Sequence, residues 1–294
     1  MHVATSSTSS WTILTLIKWG SQYLNDRGFE DARLNIELLL SHVLHLKRID
    51  LYTNFDYQLS AAELGEFKTA LRRRLNHEPL QYIIGETEFM GIPLFVNRSV
   101  LIPRPETEEL VERAVEWIRN LAFPRVEVLD IGTGSGNIPI AMERFLPNAY
   151  ITSIDVSAEA LEVAARNIGR HKCSRIELHR LDVFGEILED KVFDVVIANP
   201  PYISEGDFLA LQPEVKDFEP ESATTDHADG LRLVRRICHV AAKRLGPGGA
   251  LFMEIAHDQG DEARRIAMEA GLIGVEVSAD LSGHDRMLSG RQAA

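Results

Sequence analysis

Asn199-Pro200-Pro201-Tyr202 sets a carboxamide, two prolines and an aromatic ring in a row, directly after the apolar run Val192 to Ala198. Pro200 fixes its own φ and drives Asn199 toward an extended conformation, and neither proline carries an N–H. Where a buried strand opens into a loop, such a corner presents carbonyls and the Asn199 side chain, a rigid cup of acceptors. Its complement is a planar group with N–H bonds to donate, either a carboxamide or an amino group on an aromatic ring, stacked on Tyr202. The same residues also make an ordinary tight turn, so the remaining chain has to decide.

A second constellation lies upstream. Asp130-Ile131-Gly132-Thr133-Gly134-Ser135-Gly136 ends another apolar run, and Asn137 to Leu146 follows at helical spacing. Glycines let the backbone turn sharply and let a ligand come close, while a helix N-terminus offers free N–H groups. The loop fits a dinucleotide fingerprint, a methyl-donor loop or a plain strand-to-helix turn, but its spacing is not G-x-G-x-x-G. The acid bears on that choice: a carboxylate at Asp130 repels a pyrophosphate, whereas it can hold the ammonium of S-adenosylmethionine directly or through water. Asp155 ends the next strand, placed to accept from both hydroxyls of a ribose, and Asp182 follows the third, where an adenine amino group can meet it. The expected cofactor set is Asp130, Gly132, Gly134, Gly136, Asp155, Asp182, Val183 and Asn199.

Both constellations need a scaffold that brings strand ends together. Past residue 125, strand-like runs at Val126 to Asp130, Tyr150 to Asp155, Arg175 to His179, Val192 to Ala198, Ala250 to Ile255 and Gly274 to Val277 alternate with helical stretches, and a last candidate lies near Asp285 to Ser289. That alternation predicts an α/β domain with a mostly parallel sheet covered on both faces. In such sheets ligands collect along the carboxyl ends of the strands, so cup and glycine loop share one crevice.

Upstream the pattern differs. Trp11, Leu14, Ile17 and Leu24 recur at helical spacing before Gly28; Asp31 is placed to cap a second helix, and Ser60 with Glu63 forms a capping-box signature ahead of a third. Between them Gly85, Gly91, Pro93, Pro103 and Pro105 punctuate short segments that suit a β-hairpin, after which a helix runs from about residue 107 to 120. The predicted organisation is a helical unit over residues 1–84, a hairpin linker over 85–106 and a cofactor-binding unit over 107–294.

Composition narrows the classes. A formal net charge of −13 opposes nonspecific attraction to nucleic acid, whose affinity comes mainly from Lys and Arg neutralising phosphates. The Arg72-Arg73-Arg74 run reads as a solvated helix face. Cys173 and Cys238 stand alone, and His42 and His45 on one helical face read as a structural pair, so no disulfide framework and no metal site is expected. No apolar run is long enough to span a bilayer, and Met1 to Ser10, polar with neither a basic residue nor an apolar core, reads as a frayed tail; a cytoplasmic monomer is the expectation.

Taken together, the chain resembles the class I S-adenosylmethionine-dependent methyltransferases and, within them, the protein-glutamine methyltransferases that modify peptide chain release factors, the PrmC/HemK family. The resemblance rests on Glu78 to Ile83, Leu101-Ile102-Pro103-Arg104-Pro105-Glu106-Thr107-Glu108, Asp130 to Gly136, Asn199 to Ile203, Phe218-Glu219-Pro220 and Asp285-Arg286. It implies a Rossmann-like catalytic domain with a seven-stranded, mostly parallel sheet, and a small helical domain and hairpin that hold the protein substrate. It also implies S-adenosylmethionine as donor, with S-adenosylhomocysteine as product, and the glutamine of a release factor's Gly-Gly-Gln loop as acceptor. Asn199, Pro200 and Tyr202 are then the catalytic residues, with Pro201 completing the substrate cup: the Asn199 oxygen and the Pro200 carbonyl accept the glutamine N–H bonds while Tyr202 stacks on the amide plane. Arg104 and Glu106 fall near the cofactor crevice. The stretch Glu221 to Asp229 is more polar and acidic than the family pattern.

Three other readings compete. A DNA adenine methyltransferase also fits an Asn-Pro-Pro-Tyr cup, since an extruded base offers an amino group, but the acidic balance and the lack of a DNA-reading segment count against it. A non-catalytic partner-binding protein on the same fold is disfavoured by intact Asn199 and Asp130. A dinucleotide oxidoreductase is disfavoured by Asp130 and the glycine spacing.

Overall fold

Two reciprocal caps set up the first unit of the computed structural model, which describes residues 11–121 and 123–294 and divides after Ile84. Its helices are α1 (Ile13–Asn25), α2 (Ala32–Leu44), α3 (Asp50–Thr53), α4 (Ala61–Leu75) and α5 (Leu80–Ile84). Thr12 and Thr15 exchange side-chain and backbone hydrogen bonds ahead of α1, as Ser60 and Glu63 do ahead of α4. Ile13, Leu16, Ile36, Leu39, Leu40, Phe67 and Leu71 close the core between these helices. The tail expected at Met1 to Ser10 lies outside the described residues.

Three expectations are corrected in this unit. Asp31 precedes α2 in the left-handed conformation, φ 48°, and makes no side-chain cap, because a capping carboxylate reaches the free N–H groups only from an extended backbone. His45 lies past the end of α2, also left-handed at φ 53°, and so is not a helical-face partner of His42. The arginine run is not one solvated face, since a helix turns successive residues by about 100°. Arg72 is exposed, Arg73 binds Glu78 at 2.8 Å, and buried Arg74 donates to Asn35 Oδ1 at 2.6 Å over the Phe29 ring.

In the second unit, β1 (Glu86–Phe89) and β2 (Ile92–Phe95) form an antiparallel hairpin. Met90 and Gly91 turn it, both at positive φ (50° and 71°), the two-residue geometry that matches strand twist. Seven further strands form one sheet: β3 (Val126–Ile131), β4 (Ala149–Asp155), β5 (Ile176–Arg180), β6 (Phe193–Ala198), β7 (Leu245–Glu254), β8 (Ile273–Ala279) and β9 (Asp285–Arg291). Their order is β5-β4-β3-β6-β7-β9-β8, and β9 runs antiparallel to both its neighbours. Strand β7 begins at Leu245, five residues before the expected Ala250, and its pairing with β6 shifts register between Phe193 and Val195.

Central strands of such a sheet bury side chains on both faces, which is why β3 and β6 carry the mostly apolar stretches 128–129 and 195–198. Val128, Val195, Ile197 and Phe252 pack on one face against α6 (Pro105–Leu121) and α7 (Asn137–Phe145). The same cluster includes Phe89, Ile92 and Leu94 of the hairpin, which packs within the unit Gly85–Ala294. Leu129, Val196, Leu251 and Met253 face the other way, toward α11 (Arg232–Arg244) and α12 (Gly260–Glu269). Helix α8 (Ala158–His171) follows β4, and the short turns α9 (Glu205–Phe208) and α10 (Pro213–Lys216) lie in the excursion after β6.

Register then fixes the site. Ile131 pairs with Ile154 and with Ala198, and Ala198 with Met253. The next position on each strand path therefore brings Asp155, Gly132, Asn199 and Glu254 into one row along the carboxyl edge, about 14 Å across at the usual strand spacing.

Asn167 of α8, fully buried, holds the hairpin to this edge. Its Oδ1 accepts the Phe95 N–H at 2.8 Å, and its Nδ2 donates to the Phe95 and Ser135 carbonyls at 2.9 and 2.8 Å. Asn167→Ala strands three backbone groups and is expected to lower the unfolding free energy by roughly 2–3 kcal/mol in denaturant titration. An unchanged midpoint would show that water replaces the clamp.

Candidate active site

The glycine loop is shaped by its own φ values: Gly132, Gly134 and Gly136 stand at 80°, 54° and 80°, a region that side-chain-bearing residues rarely adopt. Gly132 and Thr133 donate to the Ile154 carbonyl, which seats the loop on the end of β4. Asp155 grips it from the side, accepting the Gly134 N–H on Oδ2 and the Ser157 N–H on Oδ1, each at 2.9 Å. Burial pushes the Asp155 carboxyl up, while these backbone donors pull it back toward the ionised form.

Asp130 is fully buried beneath the loop and is not on the crevice wall. Burial pushes its carboxyl up to about 7, while the neighbouring Thr133 and Ser153 hydroxyls pull it back toward the ionised form. The wall itself takes Gly132, Gly134, Asp155, Asp182, Val183, Asn199, Pro200 and Pro201, so eight of the eleven expected site residues border one crevice. Gly136 and Tyr202, like Asp130, do not. Gly136 caps α7 instead, with its Cα against Ala164, where a Cβ would come within 3.3 Å. Asp182 accepts the Phe184 N–H at 2.9 Å, steadying the loop that carries Val183.

The acceptor corner is held from behind. Asn199 Nδ2 donates to Thr107 Oγ1 at 2.8 Å, Thr107 Oγ1 donates to Glu254 Oε2 at 2.7 Å, and the Tyr202 hydroxyl donates to Glu254 Oε1 at 3.2 Å. The Tyr202 ring, expected to stack on a substrate, is thus tied by its hydroxyl into the protein. Burial raises both groups: Glu254, only 1% exposed, is pushed up to about 7, and the Tyr202 phenol is driven above its ordinary range. Arg104 borders the crevice and donates from Nη2 to both oxygens of buried Glu219, at 2.8 and 2.7 Å; Glu106 is half-buried and off the wall.

A loop clasps the corner from above. Asp226 Oδ1 accepts the Ala228 and Gly230 N–H groups and Oδ2 accepts that of Arg232, while Gln259 Nε2 donates to the Tyr202 and Gly230 carbonyls at 3.0 and 3.1 Å. Gly230, at φ 78°, lies so close that a Cβ there would stand 2.5 Å from the Tyr202 carbonyl oxygen.

With that geometry in hand, a family model described as the PrmC N-terminal domain matches residues 15–85, and one described as the methyltransferase small domain matches residues 115–212. A release factor glutamine methyltransferase of Geobacter sulfurreducens is 41% identical over 281 residues, 96% of this chain and 97% of that protein. The chain belongs to the release factor glutamine methyltransferase family. A second member, from Rhodopirellula baltica, is 36% identical over 293 residues, 98% of this chain and 99% of its own. Solved structures share the fold at low identity. The hMettl16 catalytic domain in complex with a 3′UTR hairpin matches with TM-score 0.55 at 16% identity, over 80% of this chain and 82% of that one. A Thermus thermophilus 16S rRNA methyltransferase in complex with AdoMet and guanosine matches with TM-score 0.50 at 15% identity, over 70% and 49%.

The residues of this family member fit a sulfonium-bearing methyl donor. A buried acid under a glycine loop favours a cation set against that loop, and Gly132 has open space where a side chain would otherwise project. Thr107, Glu254, Asp226 and Gln259 were not singled out by sequence reasoning. Glu254 carried the same signal as Asp130 and Asp155, a lone acid closing a buried apolar strand.

Asp155→Ala removes the grip on Gly134 and Ser157 and is expected to weaken S-adenosylmethionine binding by about 10-fold or more in calorimetry. Affinity equal to the parent's would remove Asp155 from the site. For Asp130 the sign follows from a folded pKa raised from 3.8 to about 7. Its ionisation disfavours the folded state, and this penalty grows as pH rises through that window. Thermal unfolding of Asp130→Asn is therefore expected to gain on the parent between about pH 4 and pH 7 and to run parallel to it below.

Proposed function

We propose that this protein transfers the methyl group of S-adenosylmethionine to the side-chain amide nitrogen of the glutamine in the Gly-Gly-Gln motif of a peptide chain release factor, leaving S-adenosylhomocysteine. The observation that carries this reading is the Asn199 carboxamide, braced through Thr107 on Glu254, in the same crevice wall as the glycine loop and Asp155. Relatives that share the chain nearly end to end bear the name of that activity.

An amide nitrogen is a weak nucleophile because its lone pair is delocalised into the carbonyl. Bound S-adenosylmethionine supplies an electrophilic methyl on sulfur. The chain's own part is to accept both N–H bonds of the substrate amide, on Asn199 Oδ1 and the Pro200 carbonyl, so that the lone pair turns out of conjugation toward the methyl. Positioning and fixed dipoles then do the catalytic work, and the proton leaves the nitrogen once the new bond has formed. Asp155 takes the ribose hydroxyls, with Asp182 and Val183 at the adenine. The helical unit over residues 11–84 grips the protein substrate.

The test is incubation with S-adenosylmethionine and a release factor, followed by mass spectrometry of the Gly-Gly-Gln peptide. One methyl on the glutamine is expected, and none on a Gln→Ala release factor. Asn199→Ala is expected to lose roughly 10²-fold or more in kcat while cofactor affinity stays within a few-fold. Equal turnover by variant and parent would remove Asn199 from the mechanism.

A further inference from the structure

A carboxamide has an oxygen end and an NH2 end of nearly the same shape, and only the oxygen can accept a hydrogen bond from a substrate amide. We propose that Thr107 and Glu254 are positioning residues that lock the Asn199 oxygen toward the acceptor amide, an inference that rests on the function proposed above.

The direction follows from counting protons. Burial pushes Glu254 up to about 7, and above that pH it is a carboxylate with only lone pairs, so the Thr107 hydroxyl at 2.7 Å and the Tyr202 hydroxyl at 3.2 Å both donate to it. Thr107 has a single hydroxyl proton. With that proton on Glu254, its oxygen offers Asn199 only an acceptor at 2.8 Å, so Asn199 must turn its NH2 to Thr107 and its Oδ1 the other way. A flipped amide is penalised twice. It sets oxygen against oxygen at Thr107, and it sets NH2 against the NH2 of the substrate.

Little water reaches the first clash, because Thr107 and Glu254 are each 1% exposed. The three residues come from separate elements that the fold brings together: Thr107 from the first turn of α6, Asn199 from the end of β6 and Glu254 from the end of β7. A group that only filled space here would need no hydroxyl. The positioning role needs that hydroxyl and nothing larger.

Steady-state methylation of a release factor by four variants separates the roles. Thr107→Val is expected to cut kcat by about 10- to 100-fold with KM for the release factor and Kd for S-adenosylmethionine within about threefold of the parent. Thr107→Ser keeps the hydroxyl and is expected to stay within about threefold of the parent, although it leaves a methyl-sized gap. In the Asn199→Ala background, Thr107→Val is expected to cost nothing further, since there is no amide left to orient. Should Val fail to fold, Thr107→Ala removes the hydroxyl without pressing a methyl on Glu254 and is expected to be as slow. The inference is overturned by Val or Ala variants that turn over like the parent, by a Ser variant as slow as Val, or by costs that add in the double variant. A parent protein that leaves the glutamine unmodified overturns the proposed function and this inference with it; an active parent with a silent Thr107 overturns the inference alone.

Discussion

A parallel sheet buried on both faces has nowhere to keep polar side chains except at the ends of its strands. Everything at this site descends from that constraint. Val128, Leu129, Val195, Val196, Leu251 and Phe252 alternate between two cores, so chemistry is excluded until each strand emerges. Because the strands run the same way and are paired without offset at Ile154, Ile131, Ala198 and Met253, they emerge together. Asp155, Gly132, Asn199 and Glu254 are therefore neighbours in space while being far apart in sequence. No loop has to fold back to assemble them.

Two buried carboxylates at this edge, Asp130 and Glu254, are both pushed up to about 7 by burial, yet they stand in opposite states. Glu254 is satisfied by hydroxyls from α6 and from the loop after β6, and so it stiffens what surrounds it. Asp130 is held more loosely, with only the Thr133 and Ser153 hydroxyls beside it. A buried network that is complete serves as a frame, and one that is incomplete favours a ligand that completes it.

How much of this was legible beforehand divides along physical lines. The sheet, its order of elements and the shared crevice followed from apolar runs of strand length and from acids or asparagine closing them, because burial writes itself into composition. What escaped were properties of three-dimensional neighbours. Arg74 looked like a surface charge and is an interior one, because helix rotation and Asn35 on a different helix decide its surroundings. Asp31 looked like a cap and has a backbone conformation that forbids it. Thr107 lay in plain view inside Glu106-Thr107-Glu108, but nothing local says that its hydroxyl meets a strand end 147 positions later. Tyr202 was read for its ring alone, and the partner of its hydroxyl, Glu254, lies 52 positions away.

The close approach of Gly230 to the Tyr202 carbonyl bears on how this enzyme would answer random mutagenesis. Any side chain at that position must displace the backbone of the acceptor corner, which Gln259 and Asp226 otherwise pin. Inactivating substitutions would therefore accumulate at a residue with no functional group that lies off the crevice wall. A screen scored by activity alone would rank Gly230 beside the residues of the acceptor corner itself, although Gly230 only leaves room for them.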